Sequence, residues 1–392
     1  MRIIHCADIH LDSALTTHLD KEKARTRRKE ILDTFRRMLV YASDNDVQAV
    51  IIAGDLFDSE MISASTVNTV LGEIARHGEL EVYYLRGNHD PGISIFAGRN
   101  IPKNLHMFDE RWTYYQLNGM ADESAAHSGN DERCNIVLAG IEMTSDNKNR
   151  IYDELSLRER DVNIVTLHGQ EQEYGDAHVA EEICLDKLKD RGIDYLALGH
   201  VHRPKREKLD HRGMYVYPGC LEGRGFDECG EHGFMLIDID EATGDMNTEF
   251  IPFAYRRLYD VQVDITGAVD SQDVADMIAE KLYGDEKLYG DVNGGENDLA
   301  RALVKITVTG GLDVESEIDM EYLARQFNDS FYYVKIADKT DLRVDPLKYV
   351  HDATLKGEFV RMVLEQDMSE DDKAYIIQTG IRALAGEEVW TR

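Results

Sequence analysis

Short apolar runs and helix-like segments alternate along the first 200 residues of the chain. The strand-like runs are RIIHC, QAVIIAG, EVYYLRG, NIVLAGIE, VNIVTLHG and DYLALGH. Between them, residues 21–44 and 63–77 carry apolar side chains at helical spacing. This alternation predicts an α/β layer architecture with buried strands. After residue 204, the shorter runs YVYPG, GFMLIDID and EFIPFA are separated by Gly-rich or acidic turns and predict antiparallel strands.

The pattern changes near Tyr255, where we predict a domain boundary. RLYDVQVDI begins a new strand, and the helix- and strand-like stretches that follow it complete a smaller α/β unit. Beyond residue 345 the apolar spacing predicts helices, the last of which begins with Ser369 and Asp372 as a capping-box-like pair. We therefore expect domains over residues 1–255 and 256–345 and a helical segment over residues 346–392. Residues 281–297, which contain KLYGD twice, are predicted to form an exposed loop.

Composition restricts the class of protein. The formal net charge of −31 argues against DNA binding over a broad basic face, so any contact with nucleic acid must be local. From Leu258 onward, 14 Lys and Arg stand against 29 Asp and Glu, which favours solubility or an interaction face for a basic partner. The five cysteines are scattered and form no C-x-x-C pair, which is typical of a reduced, cytoplasmic protein. Neither a signal peptide nor a long apolar segment is evident, so we expect a soluble, unexported protein with no membrane contact.

Polar side chains of the types that bind metals follow five of the strand-like runs. They lie in CADIHLD, AGDLFD, RGNHDPG, LHGQ and LGHVH, and they comprise Asp8, His10, Asp55, Asp58, Asn88, His89, Asp90, His168, His200 and His202. In an open α/β sheet the loops beyond the carboxyl ends of the strands converge in one crevice. His200 and His202, two residues apart on an extended segment, are expected to point in the same direction.

Carboxylates, an amide and imidazoles without a thiolate form an oxygen and nitrogen site suited to Mn²⁺, Fe²⁺, Mg²⁺ or Zn²⁺. These ligands are too many for one ion. Two ions about 3.5–4 Å apart and bridged by a carboxylate would instead clamp a phosphate. A single D-x-H or G-D motif is weak evidence, because Asp8 could equally cap a helix. The whole series, each motif placed after an apolar run, strongly favours the metal site.

The series resembles the signature of calcineurin-like metallophosphoesterases. AGDLFD and RGNHDPG resemble the SbcD-type DNA-repair exonuclease branch, and YPGCLEGRGFDECGEHGF resembles its YhaO-like bacterial members. The resemblance implies a two-sheet sandwich flanked by helices, with a smaller α/β capping domain and a helical C-terminal tail. It also implies two divalent ions, most often Mn²⁺, and a DNA phosphodiesterase that acts as an exonuclease or endonuclease in double-strand break repair or end processing.

The resemblance further implies a role for each site residue. Asp8, His10 and His202 would hold one ion, Asn88, His168 and His200 the other, and Asp55 would bridge them. His89 would protonate the leaving oxygen, oriented by Asp90, and Asp58 stands where many relatives carry a histidine that contacts the substrate. Among nearby basic residues, Arg203 and Arg224 are our candidates for holding a substrate phosphate.

The resemblance implies partners as well, namely DNA and an SMC-like (SbcC-type) ATPase that contacts the C-terminal region; the chain could also form a homodimer. Two alternatives stay open at this point. One is a phosphatase or cyclic-nucleotide phosphodiesterase with the same dinuclear centre, because both chemistries use one clamp. The other is a catalytically idle scaffold protein.

Overall fold

The computed structural model describes residues 1–15, 19–58, 62–119, 134–172, 182–284 and 300–386. Residues 285–297 of the predicted loop lie outside these ranges. The chain divides into two compact units, Met1–Tyr255 and Arg256–Arg392. No helix in the described ranges is both long enough and apolar enough to span a membrane.

The first unit contains two six-stranded sheets. In spatial order, sheet one consists of β14 (Met246–Pro252), β13 (Gly233–Ile239), β1 (Arg2–Cys6), β2 (Ala49–Ala53), β3 (Glu81–Leu85) and β4 (Leu105–Met107). Sheet two consists of β11 (Lys205–Lys208), β12 (Met214–Tyr217), β10 (Tyr195–Gly199), β7 (Val162–His168), β6 (Ile136–Gly140) and β5 (Thr113–Gln116). The pair β8 (Gln170–Glu171) and β9 (Glu182–Ile183) forms a small separate sheet.

The two large sheets pack face to face. Ile3 and Ile51 of sheet one share a buried apolar cluster with Ile164 and Ala197 of sheet two. All five residues of β2 are buried because helices cover the outer face of sheet one, which explains the uninterrupted apolar run AVIIA. The predicted α/β sandwich flanked by helices is therefore confirmed.

Two long helices cover sheet one. Helix α1 (Lys21–Asp44) begins after Asp20, whose carboxylate accepts the backbone N–H of Lys23 at 2.8 Å as an N-cap. Helix α2 (Ala64–Arg76) begins after Ser63 in the same manner. Both pack an apolar stripe on sheet one, in which Ile31, Phe35 and Val70 are buried. These helices match the segments predicted from apolar spacing. The remaining helix of this unit, α3 (Ile151–Glu154), is a single turn beside sheet two.

The antiparallel prediction for the later strands is only partly correct. Strands β13 and β14 are antiparallel to their neighbours, as predicted. Strand β12, which contains YVY, instead pairs in parallel with β10 and is antiparallel only to the edge strand β11. A short run between turns carries no signal of which neighbour it will join, since pairing is decided by packing of the whole sheet.

The second unit has a parallel sheet of β15 (Leu258–Asp264), β16 (Leu303–Asp313) and β17 (Tyr333–Arg343). Helices α4 (Ser271–Gly284) and α5 (Met320–Asn328) contribute apolar side chains such as Ile278 and Leu323 to its core. Helices α6 (Pro346–Tyr349), α7 (Leu355–Leu364) and α8 (Glu370–Leu384) follow. The hydroxyl of Ser369 accepts the backbone N–H of Asp372 at 3.1 Å, which confirms the predicted start of the last helix.

A buried histidine joins the two large sheets and makes stability depend on pH. Nδ1 of His5 lies 2.9 Å from the hydroxyl of Tyr195, and both side chains are fully buried. Burial lowers the pKa of His5 to about 3, below the value of about 6.5 in an unfolded chain. The folded state therefore keeps His5 neutral while the unfolded state takes up a proton as pH falls below 6.5. We expect this difference to remove about 2–3 kcal/mol of the unfolding free energy between pH 6.5 and 4.5.

Denaturant unfolding at several pH values, with a chelator present, measures this loss. The double variant His5→Leu/Tyr195→Phe should lose about 2–3 kcal/mol less than the native chain over that interval. The single variant Tyr195→Phe keeps the imidazole and should retain the full dependence. Parallel pH profiles for all three proteins would contradict the assignment.

Candidate metal centre

The predicted crevice forms where the carboxyl ends of the parallel strands meet. The loop after β1 is joined to the loop after β2 by backbone hydrogen bonds from Asp8 N–H to Gly54 O (3.1 Å) and from His10 N–H to Asp55 O (3.0 Å). The carboxylate of Asp8 accepts the backbone N–H of His200 at 2.9 Å, which connects sheet one to the end of β10 in sheet two. Residues distant in sequence thus meet in one place.

The backbone at this edge is strained. Asp8, His10, Asp55 and His200 have φ angles of +50°, +49°, +52° and +98°, in a region that side chains with a Cβ rarely occupy. Such strain persists only where the surrounding structure enforces it, and it is concentrated at functional sites. His200 consequently leaves the extended conformation. The prediction that His200 and His202 point in one direction is therefore wrong, because the ring of His200 lies against His168 whereas the ring of His202 lies against His10.

Glycine at position 199 permits the close approach of the two sheets. A Cβ placed there would lie 1.9 Å from the carbonyl oxygen of Ala53 and 2.8 Å from Nδ1 of His168. We expect Gly199→Ala to lower the unfolding free energy by about 2–4 kcal/mol, since backbone atoms cannot move aside as a flexible side chain can. Thermal unfolding measures the effect. Gly72→Ala is the matched control, because a Cβ on this helical glycine meets nothing within 4 Å, and it should not destabilise the protein.

Two imidazoles face each other across the crevice. Nε2 of His10 lies 3.2 Å from Nε2 of His202. Their Nδ1 atoms both lie against carboxylates, that of His10 2.9 Å from Asp58 Oδ1 and that of His202 2.7 Å from Glu228 Oε1. A carboxylate at Nδ1 holds the proton there and leaves the Nε2 lone pair free. Two opposed lone pairs at this distance repel each other unless a cation lies beside them, and the Asp8 carboxylate is close enough to complete such a group.

A second group surrounds His168. Its Nδ1 donates to the carbonyl oxygen of Ala53 at 2.9 Å, so Nε2 faces the crevice, 3.0 Å from Asn88 Oδ1. The Asp55 carboxylate lies between the two groups, since its Oδ2 is 3.4 Å from Nε2 of His168 and 3.7 Å from Nε2 of His10. Burial favours a raised pKa for Asp55, but the hydrogen bond and charge of His168 outweigh it and hold the pKa below its usual value. Asp55 is thus favoured as a carboxylate.

Glu228 is a functional residue that the sequence did not reveal. Its carboxylate accepts from His202, from the Arg224 guanidinium at 3.0 Å and from the Arg224 backbone N–H at 2.7 Å. Burial alone would raise the pKa of Glu228, but the hydrogen bond from His202 and the Arg224 charge lower it below its usual value. An acid four residues after a basic residue in a Gly-rich loop was the available signal, but many surface loops share it.

The structure changes the roles of Asp90 and Asp58. The Asp90 carboxylate accepts the backbone N–H groups of Gly87 (2.8 Å) and Phe57 (2.8 Å), so it braces two loops rather than contacting the His89 ring. The predicted orientation of His89 by Asp90 is therefore wrong. Asp58 lies nearer, with Oδ1 3.9 Å from Nδ1 of His89, and it also accepts from Arg224 at 2.9 Å.

Arg203 and Arg224 differ in their placement. Arg224 is largely buried and reaches the crevice through its bonds to Asp58 and Glu228. Arg203 is exposed and donates to the carbonyl oxygen of Asp227 at 3.1 Å. Of the two, only Arg224 contacts residues that surround the imidazole groups.

A helix-flanked two-sheet sandwich with histidines and carboxylates at its strand ends defines a metal-dependent phosphoesterase. The donor atoms fit divalent cations, because nitrogen and carboxylate oxygen atoms from several loops lie within 4.8 Å of one another. The chain belongs to the calcineurin-like phosphoesterase family, whose model matches residues 1–204. That fold carries a dinuclear metal site, and the chain is accordingly a hydrolase.

Curated relatives include DNA-repair proteins. The chain is 25% identical over 292 residues to the DNA double-strand break repair protein Mre11 of Methanopyrus kandleri, covering 68% of this chain and 60% of the relative. It is 25% identical over 292 residues to the uncharacterized metallophosphoesterase YhaO of Bacillus subtilis, covering 71% and 67%. It is 24% identical over 284 residues to the SbcD component of the SbcCD nuclease of Bacillus subtilis, covering 63% and 68%. These relatives confirm the resemblance to the SbcD-type branch, although the match spans less than two thirds of the Methanopyrus protein.

Proposed function

We propose that the chain is a cytoplasmic, two-metal-dependent DNA phosphodiesterase that acts in double-strand break repair or end processing. The observation that carries the proposal is the pair of opposed Nε2 atoms of His10 and His202, each ring oriented by a carboxylate, beside the Asp55 and His168 group. The relatedness to the Mre11 and SbcD nucleases supports DNA as the substrate.

In this proposal Asp8, His10 and His202 hold one ion and Asn88, His168 and His200 hold the other. The position of Asp55 Oδ2 between His10 and His168 supports its role as the bridging carboxylate. Two divalent cations, most often Mn²⁺, supply an activated water and neutralise charge on the phosphate oxygens. The protein supplies fixed ligand orientation, through Asp58 at His10, Glu228 at His202 and the Ala53 carbonyl at His168.

His89 is the proposed general acid. Its side chain is half exposed at the mouth of the crevice, and its backbone N–H donates to Asp55 Oδ1 at 2.9 Å. The Asp58 carboxylate near Nδ1 favours the protonated imidazole, which can then give a proton to the leaving oxygen. Asp58 therefore acts on His10 and His89 rather than on the substrate, and Arg224 is positioned to hold a phosphate oxygen.

Substrate comparison with Mn²⁺ present tests the proposal. We expect linear duplex DNA to be hydrolysed, with activity lost on chelation and restored by Mn²⁺. A single-stranded oligonucleotide, a small phosphodiester, a cyclic nucleotide and phosphate monoesters are assayed beside it. Hydrolysis of the monoesters or the cyclic nucleotide without cleavage of DNA would assign a phosphatase or cyclic-nucleotide phosphodiesterase. Metal binding without hydrolysis of any of them would assign an idle scaffold.

The second unit is the proposed contact for an SMC-like ATPase, with residues 256–345 as a capping domain. Helices α6 to α8 expose large apolar side chains, among them Leu347, Leu355, Met362 and Tyr375, which are 80%, 72%, 57% and 56% accessible. Exposed apolar groups of this density favour association with another protein. The Bacillus subtilis SbcD relative is one component of a nuclease of several chains, which agrees with a protein partner. Substitution of Leu355 and Met362 by Ser should weaken copurification with that ATPase without changing cleavage by the isolated chain.

A further inference from the structure

A basic stripe lies on the first half of α1 in an otherwise strongly acidic chain. Residues 21–37 contain eight Lys and Arg and three Asp and Glu, whereas the whole chain has a net charge of −31. Lys21, Arg25 and Lys29 are all exposed and follow one another at intervals of four residues. They therefore lie on one face of the helix, and we call them the α1 basic stripe.

The charges of the α1 basic stripe are not neutralised by the protein. None of the three side chains makes an ion pair with any residue in the described part of the chain. Neighbouring arginines behave differently, since Arg27 pairs with Glu30 and Glu222. Of the acids nearby, Asp20 caps the helix and Glu22 is exposed beside the stripe. Three cations thus stand together facing solvent.

The helix that carries the stripe is fastened to two loops of the metal centre. Arg28 donates to the carbonyl oxygen of Ala14 at 2.8 Å, in the loop that contains Asp8 and His10. Arg27 donates to the carbonyl oxygen of Gly223 at 3.0 Å, next to Arg224. Arg28 follows Arg25 by three residues and so lies on the same side of the helix. The stripe therefore borders the crevice rather than a remote surface.

We infer that the α1 basic stripe binds the phosphate backbone of a nucleic acid strand that leads into the metal centre. This inference rests on the proposed function. Eight residues of helix rise about 12 Å, which corresponds to three or four successive phosphates along a strand. Because the rest of the protein repels polyanions, a local stripe of this kind can set the path of the substrate. An acidic protein partner has the same charge, but closeness to a centre that hydrolyses phosphate esters favours nucleic acid.

A charge-removal experiment on the full chain tests this inference. Glutamine replaces all three residues in Lys21→Gln/Arg25→Gln/Lys29→Gln, because its helix propensity is close to that of Lys and Arg. The control Arg158→Gln/Lys189→Gln/Lys208→Gln removes three exposed charges before β7, before β10 and at the end of β11 that is remote from the crevice. Both variants and the native chain are compared on duplex DNA and on a small phosphodiester with Mn²⁺, at several salt concentrations. Binding of duplex DNA and the oligomeric state are measured in parallel.

We expect the stripe variant to lose about tenfold or more in kcat/KM on duplex DNA and to show a salt slope shallower by about 2–3 in log–log terms. Its activity on the small phosphodiester and all properties of the control should stay within about twofold of native. Native-like DNA cleavage and salt slope in the stripe variant would overturn the inference alone. A changed oligomeric state with unchanged DNA kinetics would assign the stripe to a protein partner instead. If the native chain hydrolyses the small ester but neither binds nor cleaves DNA, the proposed function and the inference both fail.

Discussion

His89→Ala should lower hydrolysis by about 10²–10⁴-fold while the protein still binds two metal ions. The expected loss is large because the imidazole is the half-exposed acid at the crevice mouth and no other described histidine ring occupies that position. The rate of phosphodiester hydrolysis measures the loss, and elemental analysis of the metal-loaded protein measures occupancy. The loss should be smaller for a substrate with a good leaving group such as nitrophenolate, because that group departs without a proton.

The control for this variant is His211→Ala. His211 is also an exposed histidine near a carboxylate, Asp190, with Nδ1 3.1 Å from Oδ1, but it is not part of the crevice. Its removal should leave activity and metal content unchanged. His10, Asp58 and His89 are also close enough to form a ligand group, so the His89→Ala result decides between two roles. A variant that loses metal together with activity would make His89 a ligand.

The strand ends of this chain are predictable because they combine two strong signals. Each apolar run is buried on both faces of a sheet, and each is followed at once by Asp, Asn or His in a turn that contains glycine. Parallel strands place such turns at one edge, so the meeting of Asp8, Asp55, Asn88 and His168 follows from topology alone. The helices α1 and α2 were predictable for a similar reason, since both are long and regularly spaced.

The contacts behind the ligands were not predictable, since they depend on side-chain packing between distant loops. Asp90 and Asp58 are equally close to His89 in chemical terms, yet one carboxylate is taken up by backbone N–H groups and the other faces the ring. The strained φ of His200 likewise cannot be inferred from GHVH, because an alternating pattern suggests an extended chain. Sequence spacing identifies which loops meet, whereas the orientation of each ring is set by a partner elsewhere in the chain.

Glu228→Gln should weaken metal binding by about 10–100-fold, because its carboxylate holds the Nδ1 proton of His202 and so keeps Nε2 available as a ligand. Glutamine preserves the volume but removes the charge that fixes the tautomer and balances Arg224. Titration with Mn²⁺ measures the affinity. Because Glu228 acts by positioning, activity should recover at high Mn²⁺, whereas a merely misfolded variant would not recover.

The neighbouring residue provides a matched control. Asp227→Asn removes the same charge from the same loop, but the Asp227 side chain is exposed, and only its backbone carbonyl is used, by Arg203. We expect native metal affinity for this variant. Equal weakening in both variants would mean that the overall negative charge of the loop attracts the cations. Native affinity in Glu228→Gln would mean that His202 is oriented without its carboxylate, and the opposed Nε2 atoms of His10 and His202 would then no longer indicate a built metal site.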